Sequence, residues 1–124
     1  MLNFQRIPQL TKLFCRYITD AERSRIKSII SGNKIVLFMK GTPLQPMCGF
    51  SKAVVQIFQS YNVPIQTYDI LADSELREHM KQFTDWPTFP QVYINGEFKG
   101  GCDIMIEQHQ NGELKQILQD SNIL

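Results

Sequence analysis

Residues 35–61 read IVLFMKGTPLQPMCGFSKAVVQIFQSY, and the pattern of this stretch predicts the central strand and helix of the fold. The run at residues 35–39 is apolar, β-branched and aromatic, which is typical of a central strand covered on both faces. A glycine and two prolines then end the strand, at Gly41, Pro43 and Pro46. Over residues 49–61, apolar side chains recur at spacings of three and four, which predicts a helix with one apolar face: Phe50, Ala53, Val54, Ile57, Phe58 and Tyr61.

This order places Cys48 at the N-terminus of a predicted helix. Unpaired N–H groups and the helix dipole stabilise an anion there, so the thiol pKa is expected to be lowered, and Lys40 can add a second positive charge. A lone cysteine beside a helix is more often a small buried hydrophobe. Here, however, Cys-Gly-Phe-Ser takes the place of a Cys-x-x-Cys redox motif after a strand, with Ser51 where the second cysteine would stand. We therefore interpret Cys48 as the functional residue.

Composition limits the class of protein. The chain has 124 residues, 43% hydrophobic and 20% charged, with a net charge of +1, which predicts one globular domain and gives no electrostatic case for nucleic acid or membrane partners. The three cysteines, Cys15, Cys48 and Cys102, do not form a disulfide framework by spacing, which favours a reducing compartment.

Residues 1–19 differ from the rest of the chain. They contain three basic residues and no acidic one, interleaved with apolar side chains. This pattern predicts a mitochondrial transit peptide, followed by a domain at residues 20–124. The alternative is a disordered or loosely docked tail.

The remaining pattern predicts an α-β-α-β-α-β-β-α-α order. Expected helices cover residues 21–30, 49–61, 74–83, 102–110 and 113–119, and expected strands cover residues 35–39, 65–70, 91–94 and 97–99. A helix between the first two strands makes them parallel, and Asn95-Gly96 is a tight hairpin turn. We therefore predict an α/β, thioredoxin-like fold with a four-stranded mixed sheet flanked by helices.

Four separated motifs carry a family resemblance: Lys-Gly-Thr-Pro at 40–43, Pro-Met-Cys-Gly-Phe-Ser at 46–51, Trp-Pro-Thr-Phe-Pro-Gln at 86–91 and Gly-Gly-Cys-Asp at 100–103. In order and spacing, the chain resembles the monothiol, CGFS-type glutaredoxins, and is similar to their single-domain mitochondrial members. The resemblance covers roughly residues 21–120. It implies the thioredoxin-like (glutaredoxin) fold and a cis peptide bond before Pro90.

The resemblance also implies a glutathione site. Lys40, Arg77 and Lys81 are expected to hold the glycine carboxylate, Phe89 to pair with the peptide backbone, and residues 102–103 to receive the γ-glutamyl end. From spacing alone, Arg77 and Lys81 lie one helical turn apart and fit either a carboxylate site or a solvated basic face. The full expected set is Lys40, Cys48, Gly49, Phe50, Arg77, Lys81, Thr88, Phe89, Pro90, Gly101, Cys102 and Asp103.

Two functions fit this site. As a carrier, a Cys48 thiolate and a glutathione thiolate from each of two subunits would hold a [2Fe-2S] cluster in a homodimer. The cluster would pass to apo iron-sulfur proteins in the mitochondrial matrix, and cluster-assembly factors would be further partners. The resemblance favours this carrier function. As an oxidoreductase, catalytic Cys48 would deglutathionylate proteins, weakly because Ser51 replaces a resolving thiol.

Other motifs are assigned lesser roles. A zinc site fails on spacing, because Cys48 and Cys102 are far apart in sequence and His79 and His109 fall on separate predicted helices, where we expect surface positions. Trp86 is expected to brace the proline loop by packing. Cys102 either contacts glutathione through its backbone or forms a disulfide with Cys48 under oxidation.

Overall fold

The structure is a computed structural model that describes residues 18–124. The predicted transit peptide lies outside the described residues except for its last two positions, and so does Cys15. In chain order, the elements are α1 (Asp20–Ser31), β1 (Ile35–Met39), α2 (Gly49–Ser60), β2 (Gln66–Asp69), α3 (Ser74–Thr84), β3 (Gln91–Ile94), β4 (Glu97–Gly100), α4 (Cys102–Asn111) and α5 (Glu113–Asp120). None of the helices within residues 18–124 is long and apolar enough to cross a membrane.

The four strands form one mixed sheet in the order β2-β1-β3-β4. β1 pairs in parallel with β2 and antiparallel with β3, and β3 pairs antiparallel with β4. Asn95 has a φ of 52° and Gly96 a φ of 79°, the conformation that the predicted tight turn requires. The predicted element order and sheet are confirmed, and the observed ends differ from the predicted ones by a residue or so.

The sheet divides the core into two layers, and β1 contributes side chains to both. Its side chains alternate between the faces of the sheet, so Ile35, Leu37 and Met39 pack with α2, α4 and α5. Val36 and Phe38 pack on the other face with α1 and α3. All five residues of β1 are buried, as the apolar run predicted. The loop that carries Cys48 therefore leaves the end of a fully buried strand.

Helix α1 is fixed at its first turn, where Glu22 bonds both to the cap residue and to α3. Thr19 forms a capping box with Glu22: the Glu22 N–H donates to Thr19 Oγ1 at 3.1 Å, and the Thr19 N–H donates to Glu22 Oε1 at 2.8 Å. The other carboxylate oxygen of Glu22 lies 2.9 Å from Nε2 of His79 on α3. The predicted surface position of His79 is therefore wrong: the side chain is buried between the two helices, where Glu22 satisfies its polar ring.

Candidate functional site

Cys48 is the N-cap residue of α2, and its free thiol is partly exposed. The backbone N–H of Ser51, in the first turn of α2, holds the pKa of the Cys48 thiol below its ordinary value. The Phe50 N–H and the positive charge of Lys40 act in the same direction, while partial burial opposes them. The shift has the direction that we predicted, and the helix N–H groups contribute more to it than Lys40 does.

The loop between β1 and α2 is held by its own backbone. The Met47 N–H donates to the Lys40 carbonyl at 2.9 Å, and Thr42 and Gln45 exchange hydrogen bonds at 3.2 and 3.1 Å. Gly41 has a φ of 92°, and a Cβ at this position would lie 2.5 Å from the Gln45 carbonyl oxygen. Only glycine fits there. The thiol is therefore presented by a structured loop.

Large apolar side chains around the thiol face solvent. Leu44 at the loop tip is 100% exposed, Met47 is 62% exposed, and Phe50 in the first turn of α2 is 61% exposed. The sequence placed Phe50 on the packed face of the helix, which is wrong. Its ring instead lines the neighbouring groove. The loop and the first helical turn that flank Cys48 in sequence therefore expose an apolar surface.

A groove of about 400 Å³ lies beside this surface. All of the predicted glutathione contacts line it except Cys48, Gly49, Arg77 and Lys81. Its complete lining is Lys40, Phe50, Trp86, Thr88, Phe89, Pro90, Gly101, Cys102, Asp103 and Ile104. Segments far apart in sequence thus meet in one concave site of the size that small ligands occupy.

The middle of the groove is the loop before β3. The Phe89–Pro90 peptide bond is cis, as the resemblance implied. The side chain of Gln91 is fully buried and supports the loop, because its Nε2 donates to the carbonyls of Trp86 at 3.1 Å and Thr88 at 3.3 Å. Sequence reasoning did not identify this support, since a side chain that bonds to backbone carbonyls leaves no distinctive spacing.

At the far end of the groove, Gly101 is the N-cap of α4. A Cβ on Gly101 would lie 3.2 Å from the Pro90 carbonyl oxygen and 3.4 Å from Nε1 of Trp86, so the helix start approaches the proline loop closely. The Trp86 ring packs edge-on against Phe98 with centroids 5.3 Å apart, as its bracing role predicted. Trp86 also lines the groove, which the sequence did not indicate.

Cys102 opens α4 and is buried as a free thiol. Burial, followed by the negative charges of Asp103 and of the Cys48 thiolate, raises the pKa of the Cys102 thiol. The two cysteines therefore differ in character. The pKa of the Cys48 thiol is lowered and that of the Cys102 thiol is raised, so Cys48 ionises more readily than Cys102.

Arg77 and Lys81 lie on α3, outside the lining of the groove. Arg77 is partly buried, and Nζ of Lys81 lies 3.5 Å from Oε1 of Glu78 on the same helix. Their contact with a ligand stays a prediction. Within residues 18–124, no group of three or more His, Cys, Asp or Glu side chains is arranged to hold a metal ion.

The sheet has the order β2-β1-β3-β4 and carries helices on both faces, and a cysteine lies at a helix N-terminus near a cis-proline loop. These features define a protein of the thioredoxin-like class. The glutaredoxin family model matches residues 35–99, and the chain belongs to the glutaredoxin family.

Many of its relatives are monothiol glutaredoxins. A ycf64-like monothiol glutaredoxin of Synechocystis sp. is 54% identical over 78% of this chain and 91% of its own length. The mitochondrial monothiol glutaredoxin-5 of Schizosaccharomyces pombe is 48% identical over 88% of this chain and 77% of its own length. The solution structure of reduced poplar apo GrxS14 is 45% identical, with a TM-score of 0.70 over 80% of this chain and 91% of that one. Some relatives are much longer: the chain spans 21% of monothiol glutaredoxin-S11 of Oryza sativa.

Proposed function

We propose that this protein carries a [2Fe-2S] cluster between two copies of itself, with glutathione as co-ligand, and transfers it to apo iron-sulfur proteins. The observation that carries the proposal is that residues 18–124 contain one activated thiol, and it lies near a ligand groove. Cys48 is partly exposed and has a lowered pKa, whereas Cys102 is buried and has a raised pKa. One thiolate per chain cannot supply four sulfur ligands, but two chains with two glutathione thiolates can.

The groove has the polarity that glutathione requires. Lys40 lines it with a positive charge that suits the glycine carboxylate. Asp103 and the start of α4 suit the ammonium and the carboxylate of the γ-glutamyl end. The backbone at Phe89, beside the cis bond, would pair with the extended peptide as an added strand does.

The apolar surface supports the approach of a second copy. Leu44, Met47 and Phe50 are exposed on the loop and the helical turn that flank Cys48 in sequence, so a two-fold contact that brings the two Cys48 sulfurs together would bury apolar side chains of this surface. Three side chains bury far less than the roughly 800 Å² per partner of a stable interface. The cluster itself would therefore hold the dimer together.

Anaerobic reconstitution with iron, sulfide and glutathione tests this function. The expected product is a coloured dimer with visible absorption, measured by spectroscopy and by mass in solution. Reconstitution without glutathione should give a colourless monomer, because two of the four sulfur ligands are missing. A colourless monomer in the presence of glutathione would contradict the carrier function.

A thiol-disulfide oxidoreductase is the second candidate, favoured by the lowered pKa of the exposed Cys48 thiol. The Cys48 thiolate would attack the glutathione sulfur of a mixed disulfide and release the substrate thiolate. The thiolate of a second glutathione would then attack the Cys48 mixed disulfide, which regenerates the Cys48 thiolate and forms glutathione disulfide. We rank this activity second because Ser51 supplies no resolving thiol.

We also propose residence in the mitochondrial matrix. Residues 1–19 are basic and free of acidic residues, and the relatives include the mitochondrial monothiol glutaredoxin of Schizosaccharomyces pombe. A reporter fused to residues 1–19 is expected to enter mitochondria and to be cleaved. A diffuse, uncleaved reporter in fluorescence imaging and blotting would favour the tail interpretation instead.

A further inference from the structure

The backbone around Lys40 forms hydrogen bonds with three parts of the fold: helix α2, the loop before it and the end of β2. The Lys40 N–H donates to the Ser51 hydroxyl on α2 at 3.1 Å, and the Lys40 carbonyl accepts from the Met47 N–H at 2.9 Å. The next N–H, of Gly41, donates to Oδ1 of Asp69 at 2.9 Å. Lys40 therefore leaves β1 with its backbone position fixed on each side.

Asp69 is the most distant of these anchors in sequence. It is the last residue of β2, and the same Oδ1 also accepts from the Leu71 N–H at 2.9 Å. The regular contact between the strands ends where the Ile70 N–H donates to the Met39 carbonyl at 2.9 Å. The Asp69 carboxylate thus extends the contact between β1 and β2 beyond their backbone pairing.

Loss of this acceptor would affect Gly41 first. Gly41 sits at a φ of 92° in a partly buried setting, and its N–H would lose its partner and its fixed direction. The residue before it, Lys40, carries the positive charge that lines the groove. A shift of the backbone here moves that charge relative to the ligand.

We propose that Asp69 is a positioning residue for the glutathione groove, acting through Gly41 on Lys40. The inference rests on the proposed function, which assigns Lys40 to the glutathione carboxylate. Asp69 acts as a hydrogen-bond acceptor, because both of its bonds use one oxygen and both go to backbone N–H groups. The role therefore depends on the position of Oδ1 and not on the negative charge.

Three substitutions in the full chain separate the position of the Asp69 oxygen from its negative charge. Glutathione affinity is measured by calorimetric titration. Asp69→Ala removes the acceptor and should weaken binding about tenfold. Asp69→Glu keeps the charge but displaces the oxygen, and should weaken binding similarly. Asp69→Asn keeps an oxygen at Oδ1 and should stay within about twofold of the wild type.

Asn111→Ala is the matched control. It removes another side-chain oxygen that accepts a backbone N–H at 2.9 Å, from Glu113 at the start of α5, away from the groove lining. It should lower the melting temperature without changing glutathione affinity. Wild-type affinity in Asp69→Glu, or equal weakening in Asp69→Asn and Asp69→Glu, would overturn the inference.

Amide hydrogen exchange at Gly41, measured by NMR without glutathione, gives an independent readout. Exchange should be faster than wild type in Asp69→Glu and unchanged in Asp69→Asn, and equal rates in both would overturn the positioning role. A wild-type protein that shows slow Gly41 exchange but no glutathione binding would instead contradict the proposed function. The two failures are therefore distinguishable.

Discussion

Cys48→Ser should leave the protein colourless and monomeric after reconstitution with iron, sulfide and glutathione, while its melting temperature stays close to that of the wild type. A serine hydroxyl is not ionised at neutral pH and is a poor ligand for iron, so each copy loses its only protein ligand in the proposed dimer. The fold should persist because the thiol is partly exposed and lies at the N-cap, a position that serine favours. Visible absorption, iron content and mass measure the loss.

Cys15→Ser is the matched control, since it makes the same chemical change in the predicted transit peptide. It should retain the full chromophore and the dimer mass. A Cys48→Ser protein that keeps the chromophore would show that other groups hold the iron, and the proposed dimer would be abandoned.

The fold was predictable because the signals that define it are local. The apolar run of β1, the helical spacing in α2 and the Asn95-Gly96 turn each fix one element, and chain order then limits how the elements assemble. Phe50 shows the limit of this reasoning. Its spacing matches the apolar face of α2, yet it lies in the first turn, is largely exposed and lines the groove, as expected from the resemblance and not from the spacing.

Most lining residues of the groove were predicted from the resemblance, whereas their supports were not. The Gln91 side chain donates to backbone carbonyls of the loop just before it, and the Asp69 side chain accepts from the Gly41 N–H at the end of another strand. Such bonds depend on strand register and loop shape, which sequence spacing does not encode. His79 was assigned to the surface for a related reason, since its partner Glu22 lies on a helix more than fifty residues earlier.

The structure also gives a reason why a second cysteine should not convert this protein into an efficient oxidoreductase. The Ser51 side chain is fully buried, and its hydroxyl accepts the Lys40 N–H at 3.1 Å. A thiol at this position would occupy the interior beside β1 and lie outside the groove. Burial would also keep it neutral, so little thiolate would be available for exchange.

Ser51→Cys should therefore raise turnover only slightly in a glutathione-coupled reductase assay with a small mixed disulfide. We expect both proteins to remain roughly 100-fold slower than a two-cysteine glutaredoxin, because the loop between Lys40 and Cys48 would hold the bound glutathione sulfur out of line with the breaking bond. Ser60→Cys is the matched control, since it adds a thiol at the other end of the same helix.

Metal binding requires only that thiolates converge on a shared space. Cluster transfer from the wild type to an apo-ferredoxin, followed by circular dichroism, should therefore be efficient. Turnover comparable to the two-cysteine enzyme, together with no measurable transfer, would instead make thiol-disulfide exchange the primary activity.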